Sequence, residues 1–442
     1  MVNTKPPEGI KGPKVAIAMD WLDQIGGAEQ VLLAVHELYP EAPIYTSVYR
    51  PQKLGGLLRD ADIRTGWLNI FPVGLRRFLG PFRQAWFSHL DLSEYDLVIS
   101  VTGAEAKAVK TTSEKHRAYH LCYCHVPTQY YWQLYDDYLK HPGFGFLDPL
   151  ARLGLKLFVK PMRKKDHQSA QRPDQIITIS KYAADQIQKY YDRKAKIINP
   201  PVNLAKFRPV GEGTTPVKTD FSTGTTDFST SKNTKIGNCQ IEKKHKNEKK
   251  QTSEQNNCAI KHEKSQINST QTPKRVGFIT TSRQVTWKRL DLCIKACLET
   301  GQPLTIIGEG PEHDNLLKLA DNSDLIQFFP RMTQEEIGSF LRRAKGYLFP
   351  SREPFGIAPV EALAAGCPII AFGEGGALDY IAPGKNGLLF SEQTVASLAQ
   401  AIRDFDKMRF SAAPVRKTAE KYDKPVFKTK LTEEIDHALA EN

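Results

Sequence analysis

The sequence predicts an α/β protein built from two doubly wound parallel sheets. Three observations carry that expectation. Short apolar strands alternate with helix-period segments through residues 14–210, the same alternation returns in 274–422, and a polar stretch with few apolar residues separates the two blocks. With 442 residues the chain is too long for one hydrophobic core, so two domains are the default. Helices between successive strands favour parallel pairing, because a parallel crossover needs a helix-length connection.

In the first block "KVAIAMD" (14–20) reads as a strand and "GGAEQVLLAVHELYP" (26–40) as the helix after it. "YDLVISV" (95–101), "AYHLCYCHV" (118–126) and "QIITIS" (175–180) read as further strands, and "KYAADQIQKYY" (181–191) as a helix. In the second block the strands are "RVGFIT" (275–280), "PLTIIGEG" (303–310), "GYLFPS" (346–351) and "CPIIAF" (367–372). "RLDLCIKACLET" (289–300) and "TQEEIGSFLRRA" (333–344) are the helices between them, and "GKNGLLF" (384–390) reads as a hairpin turn leading into a strand. The tail, 423–442, reads as an amphipathic helix that closes the second domain or crosses back to the first. Residues 1–13 and the insertion 211–273 are expected to be disordered. The insertion is rich in Thr, Ser, Lys, Asn and Gln and repeats TDFST, so it cannot bury enough apolar surface to offset chain entropy.

The formal charge of +12 favours an acidic partner such as a phosphorylated ligand or an anionic membrane surface. No nucleic-acid recognition motif accompanies it, so nucleic acid is not an expected partner. Seven cysteines, an odd number without a CxxC pair, read as reduced thiols of a cytoplasmic protein. The polar, Pro/Gly-rich start is unlike a signal peptide, and no apolar run reaches the roughly 18 residues that a membrane span needs.

Three stretches suit anion or sugar chemistry. In "MDWLDQIGGAEQVL" (19–32), Gly26 and Gly27 open a helix after a strand. A helix start carries unpaired amides and a partial positive charge, and glycines admit a phosphate or sugar to the backbone; a plain strand-to-helix turn is the alternative. In "TTSRQVTWKRLDLCIKA" (280–296), Arg283 and Lys288 follow a strand and precede a helix. That is the ligand crevice of a doubly wound sheet, where two cations suit a diphosphate; ordinary surface cations are the alternative. In "SREPFGIAPVEALAAGCPIIAF" (351–372), Glu353 lies at a strand end and Gly356 permits a tight corner. Phe355 to Ala358 expose backbone amides, and Glu361 is expected in the first helical turn, facing a ribose diol or merely complementing the helix dipole. Gly366 suits the left-handed residue that ends the helix.

No metal site is expected. Of the two DxD matches, Asp404 and Asp406 fall on a helix, where i and i+2 diverge, and Asp60 and Asp62 fall in an edge-like loop. His120, Cys122 and Cys124 share one strand face, which burial explains. "GWLNIFPVGLRRFLGPFRQAWF" (66–87) reads as a core-packing helix pair beside the cleft or as a lipid-facing surface.

The spaced glutamates in "EPFGIAPVEALAAGCPIIA", with "IIGEGPEHDNLL" and "SRQVTWKRLD", resemble the retaining glycosyltransferases of the GT-B fold, family 4 (group 1). "MDWLDQIGGAEQVL", "LSEYDLVIS", "CYCHVPTQYYWQLYDDYL" and "IINPPVNLAKF" are similar to the bacterial mannosyltransferase-like subgroup of polysaccharide and O-antigen synthesis. The likeness covers nearly all the chain except its start and residues 211–273. It implies two Rossmann-like domains facing across a cleft, an acceptor domain at 14–210 and a nucleotide-sugar donor domain at 274–422. It also implies that Glu353 lies close to the donor sugar and that Glu361 holds the donor ribose. Phe355, Gly356 and Ile357 would offer backbone amides, Arg283 and Lys288 would neutralise the leaving diphosphate, Gly26 and Gly27 would line the cleft, and His125 would approach the sugar.

The implied reaction moves a sugar, mannose favoured, from a nucleotide-diphosphate donor to a hydroxyl of a lipid-linked or saccharide acceptor. It needs no metal or other cofactor, and the enzyme would be cytoplasmic, or peripheral on the inner face of the cytoplasmic membrane. This sequence departs from the subgroup at Pro354, where an acidic residue is expected, and in the 211–273 insertion. A phosphorylase- or synthase-like enzyme on the same fold and a non-catalytic nucleotide-sugar-binding protein are the alternatives.

Overall fold

The computed structural model describes residues 12–71, 79–140, 145, 148–207 and 275–440. The expectations for residues 1–11 and 211–273 fall outside the described residues. The N-terminal lobe holds a seven-stranded sheet: β1 (Val15–Met19), β2 (Ile44–Thr46), β3 (Ile63–Thr65), β4 (Leu97–Thr102), β5 (Tyr119–Cys124), β6 (Gln175–Thr178) and β7 (Lys196–Ile197). Its helices are α1 (Gly27–His36), α2 (Gly80–His89), α3 (Tyr135–Lys140), α4 (Asp148–Ser169) and α5 (Lys181–Tyr191). The C-terminal lobe has six strands: β8 (Phe278–Thr281), β9 (Leu304–Ile307), β10 (Ile326–Phe329), β11 (Gly346–Phe349), β12 (Ile369–Phe372) and β13 (Gly387–Phe390). Its helices are α6 (Leu290–Thr300), α7 (His313–Ala320), α8 (Gln334–Arg343), α9 (Ile357–Ala364), α10 (Ala377–Tyr380), α11 (Val395–Asp406) and α12 (Ala412–Lys417), and α13 (Lys424–Ala440) ends the described chain.

Every strand pair is parallel. The orders are β3-β2-β1-β4-β5-β6-β7 and β10-β9-β8-β11-β12-β13, so each lobe is a Rossmann-like doubly wound sheet. Central strands β1, β4 and β11 are buried along their whole length, as strands covered by helices on both faces must be. Strand order reverses between β1 and β4 in one lobe and between β8 and β11 in the other, and these two switch points define where a ligand can enter.

The helix boundaries follow local chemistry. Ser180 caps α5 by accepting from the Ala183 amide, and Thr333 and Glu336 form a reciprocal capping box on α8. The segment 384–390 differs from its expected form. β13 pairs parallel with β12, Ile369 opposite Gly387 through Phe372 opposite Phe390, so the turn before it is not a hairpin turn.

α13 leaves the C-terminal lobe and packs on the N-terminal one. The Val202 amide donates to the Tyr422 carbonyl at 2.9 Å, and the Lys424 amide to the Val202 carbonyl at 3.0 Å. Phe427 is buried edge-on to Tyr123 of β5, Lys424 pairs with Glu37, and Glu434 accepts from Gln175. The tail thus ties the lobes together with a buried aromatic rather than with surface charge alone. Phe427→Ala is expected to cost about 3–5 kcal/mol. In chemical denaturation this appears as a lowered first unfolding midpoint, and an unchanged midpoint would show that the tail only lies on the surface.

Candidate active site

A cleft of about 1580 Å³ lies where the two switch points face each other. Its walls come from segments just beyond β1, β5, β8 and β11.

On the C-terminal side the chain leaves β8, crosses the sheet edge and makes a short 3₁₀ turn, Thr286–Lys288. That crossing is held from below by the "IIGEG" segment. Gln284 is buried, its amide donates to the Gly308 carbonyl at 2.6 Å, and its Oε1 meets His313 Nδ1 at 2.8 Å. Gln284 and His313 thereby explain the motif as a support for the cation loop. Lys288 Nζ reaches across the switch point to Glu353, which also accepts from Ser351 Oγ at 2.8 Å. Arg283 lines the cleft, is exposed, and has no side-chain partner among the described residues.

The Glu353–Gly356 corner is clamped by the loop 373–376. A Cβ at Gly375 would lie 2.4 Å from the Glu353 carbonyl oxygen, and one at Gly376 would lie 2.3 Å from Phe355 Cα, so only glycine lets the loops touch. The Gly376 amide donates to the Glu353 carbonyl at 2.7 Å. Tyr380 Oη donates to the Phe355 carbonyl at 2.9 Å, and the Phe355 ring is buried against Tyr380 and Tyr422. Phe355, Gly356 and Ile357 all line the cleft, and Gly356 turns the corner at φ +90°. No side chain among the described residues caps the start of α9.

Glu361 sits in the second turn of α9, not the first, because the helix begins at Ile357. It is half-buried one turn behind the lining formed by Ile357–Pro359 and accepts from Gln334 Nε2 at 3.3 Å. Burial pushes its carboxyl up to about 7, against the pull of Gln334.

On the N-terminal side Gly26 and Gly27 begin α1 and line the cleft. A Cβ on Gly27 would come within 3.1 Å of Ile357 Cδ1, so the glycine lets the lobes meet there. Glu29 lines the cleft beside them, and burial pushes its carboxyl up to about 7 while its own amide and that of Gly26 pull it down. His125 follows β5, its ring edge-on to Tyr123, and its buried Nε2 has no hydrogen-bond partner among the described residues. Burial holds the imidazole down to about 4, so it is neutral at pH 7. Asp20, at the end of β1, accepts from Thr102 Oγ1 and from the amides of Gly103 and Ala106, which fixes the β1/β4 switch point.

The structure therefore brings Glu353, Lys288, Arg283, His125, Gly26, Gly27, Phe355, Gly356 and Ile357 to one cleft and sets Glu361 behind its wall. Sequence reasoning missed Glu29, Lys53 and Arg331, which also line it. Lys53 and Arg331 are exposed and without side-chain partners among the described residues. Arg331 follows the short strand β10 and Lys53 ends the 3₁₀ turn Pro51–Lys53, neither of which shows a period in the sequence.

The other candidates lie elsewhere. Asp62 pairs with Arg64, Asp404 with Lys407, and Asp406 with Lys345. His120 Nε2 meets Ser100 Oγ at 2.8 Å, while Cys122 and Cys124 pack among Ile176, Ile187 and Tyr191. Among the described residues no three such side chains gather as a metal site. In 66–87, Leu68 and Phe87 are buried while Trp67, Ile70 and Phe82 are exposed, and residues 72–78 fall outside the described residues.

Residues 261–424 match the family model described as glycosyl transferases group 1. Glycogen synthase of Mycobacterium tuberculosis is 35% identical over 107 residues, 23% of this chain and 26% of the relative. D-inositol 3-phosphate glycosyltransferase of Streptomyces avermitilis is 35% identical over 96 residues, 21% of each. The matched region thus spans about a quarter of the length of these curated relatives. The solved structure of Anabaena HepE in complex with UDP superposes with a TM-score of 0.62 at 16% identity, covering 96% of this chain and 100% of that one. That likeness shows the fold, which is GT-B. The family match, which falls on the lobe carrying Glu353 and Lys288, supports a group 1 glycosyltransferase.

Glu361 binds its proton more tightly folded than unfolded, since its ordinary value is 4.5 and its folded value about 7. Its contribution to stability is full below about pH 4.5 and is lost as pH rises through about 7. Glu361→Gln should therefore match wild-type thermal stability near pH 4.5 and exceed it at pH 8, by up to about 3 kcal/mol. Parallel melting curves at both pH values would contradict the burial of this carboxyl.

Proposed function

We propose that this protein is a retaining glycosyltransferase that moves a sugar from a nucleoside-diphosphate donor to a hydroxyl acceptor. The observation that carries the reading is the Lys288–Glu353 pair facing across the β8/β11 switch point, with Arg283, unpaired among the described residues, beside it. A diphosphate entering there takes Lys288 from Glu353, meets Arg283, and lies against the uncapped start of α9. Glu353, released, faces the sugar, and neutral His125 approaches it from the other lobe as a hydrogen-bonding group.

In the transfer step the bond from the anomeric carbon to the diphosphate oxygen breaks and a bond to the acceptor oxygen forms on the same face. The acceptor proton passes to the leaving phosphate oxygen. Negative charge grows on the diphosphate as the sugar becomes oxocarbenium-like, and the cations stabilise that growth more than the ground state. Glu361 belongs to the ribose end of the donor, in contact through the α9 wall once the nucleotide is seated.

The finer parts of the proposal rest on the motif likenesses in the sequence: family 4, mannose as the favoured sugar, a lipid-linked acceptor in polysaccharide or O-antigen synthesis, no metal requirement, and a cytoplasmic or peripheral position. HepE was solved with UDP and with UDP-glucose, so uridine donors belong in the same test as guanosine donors. A soluble saccharide acceptor is the second reading, favoured by the relative named glycogen synthase.

The test is a thermal-shift panel of UDP, GDP and ADP, followed by product analysis with sugars of the best binder. One nucleotide should stabilise the protein clearly, and the product should keep the donor's anomeric configuration. Lys288→Ala is expected to lower kcat by about 10²–10³. Transfer by Lys288→Ala at the wild-type rate, or nucleotide binding without turnover in the wild type, would refute the reading.

A further inference from the structure

The N-terminal side of the cleft carries an apolar face that the proposed chemistry leaves unused. Along α4, Leu150, Leu153, Leu157 and Phe158 recur at helical spacing and are 54–63% exposed. The side of α4 that packs on the lobe is a different one, formed by Ala151, Val159, Met162 and Asp166. The helix is therefore apolar on two faces in its first half. Phe82 of α2 is also exposed, lines the same cleft as Leu150 and Phe158, and holds exposed Trp67 edge-on at 6.2 Å.

Exposed lysines start among these apolar residues of α4 and continue along the helix beyond them. Lys156, Lys160, Lys164 and Lys165 are exposed, and none makes an ion pair among the described residues. Leucines and lysines exposed along one helix suit a surface that is apolar below and anionic above. A second copy of this chain would bring four more lysines against the first four, which disfavours self-association.

We propose that this face of α4 docks the protein on an anionic phospholipid bilayer. Leu150, Leu153, Leu157 and Phe158 enter the boundary between headgroups and acyl chains, and the four lysines meet lipid phosphates. Because Leu150 and Phe158 also line the cleft, docking opens the cleft mouth at the bilayer surface. The use of this arrangement, presenting a lipid-borne hydroxyl to the donor sugar, rests on the function proposed above. The docking gives the peripheral position proposed above a surface, and it does not need the transfer activity. No helix among the described residues is long and apolar enough to cross the membrane, so the contact is a surface one.

Co-sedimentation of the full chain with vesicles tests this. The wild type should bind phosphatidylcholine vesicles containing about 30% phosphatidylglycerol and should fail to bind pure phosphatidylcholine. Leu153→Glu/Leu157→Glu, at positions that do not line the cleft, and separately Lys160→Glu/Lys164→Glu should each weaken binding by about tenfold or more. Both should keep the wild-type melting temperature and nucleotide-induced thermal shift, which shows that they are folded. Absence of wild-type binding, or wild-type binding by either double variant, overturns the proposal. So does a leucine variant that splits a dimer in light scattering while vesicle binding is unchanged, because the face would then join two copies. Vesicle binding needs neither donor nor turnover, so a protein that docks without transferring sugar refutes the activity and leaves the docking standing.

Discussion

The site depends on the close approach of one loop to another. Gly375 and Gly376 have no side chains, so the loop they belong to lies directly on the Glu353–Phe355 corner and donates a hydrogen bond into it. Tyr380 holds the same corner from the other side. With its backbone fixed twice, the corner presents Glu353 to Lys288 across the point where strand order reverses. Moving that corner by even the width of a methyl group would break the ion pair and shift the amides that open α9.

The charges that line the cleft suit the anionic ligand proposed for it. Arg283, Arg331 and Lys53 face it without side-chain partners among the described residues, whereas burial favours the neutral forms of Glu29, Glu361 and His125. Arg83 and Lys288 are already paired, with Glu105 and Glu353, and both members of the Lys288–Glu353 pair are mostly shielded from solvent. A shielded pair of this kind carries a desolvation cost that a multiply charged diphosphate, hydrogen-bonded at several points, offsets better than one carboxylate does. The two lobes also meet at this corner. Ser180 Oγ, the cap of α5, donates to the Pro354 carbonyl, the Lys181 amide donates to Asp379, and Gly27 meets Ile357. The N-terminal lobe therefore touches the donor corner directly, and Tyr422, at the start of the crossover to α13, donates to the Asp379 carbonyl.

Much of this was legible in the sequence because it rests on local rules. Central strands such as Leu97–Thr102 are continuous apolar runs, Ser180 announces α5, and the left-handed Gly366 follows the end of α9. The strands Ile44–Thr46, Ile63–Thr65 and Ile326–Phe329, the last two at sheet edges, went unread, being too short to show a period, and Arg331 went unread with them. α4 was missed for the opposite reason. Apolar residues on two faces and Pro161 within it blur the single stripe that marks an amphipathic helix. Glu361 was placed a turn too early because nothing local says that the Pro-Phe-Gly corner delays the helix to Ile357. The approach of Gly376 to Phe355 joins segments that only the folded sheet brings together, so no sequence pattern announces it.

The central claim is that Lys288 is held by Glu353 until a diphosphate takes it. Calorimetric titration of the best-binding nucleoside diphosphate, without its sugar, into the wild type and Glu353→Gln measures this most directly. The sugar is absent, so Glu353 has no other role in binding. The account predicts that Glu353→Gln binds several-fold more tightly, because the competing carboxylate is gone. Equal or weaker binding would contradict it.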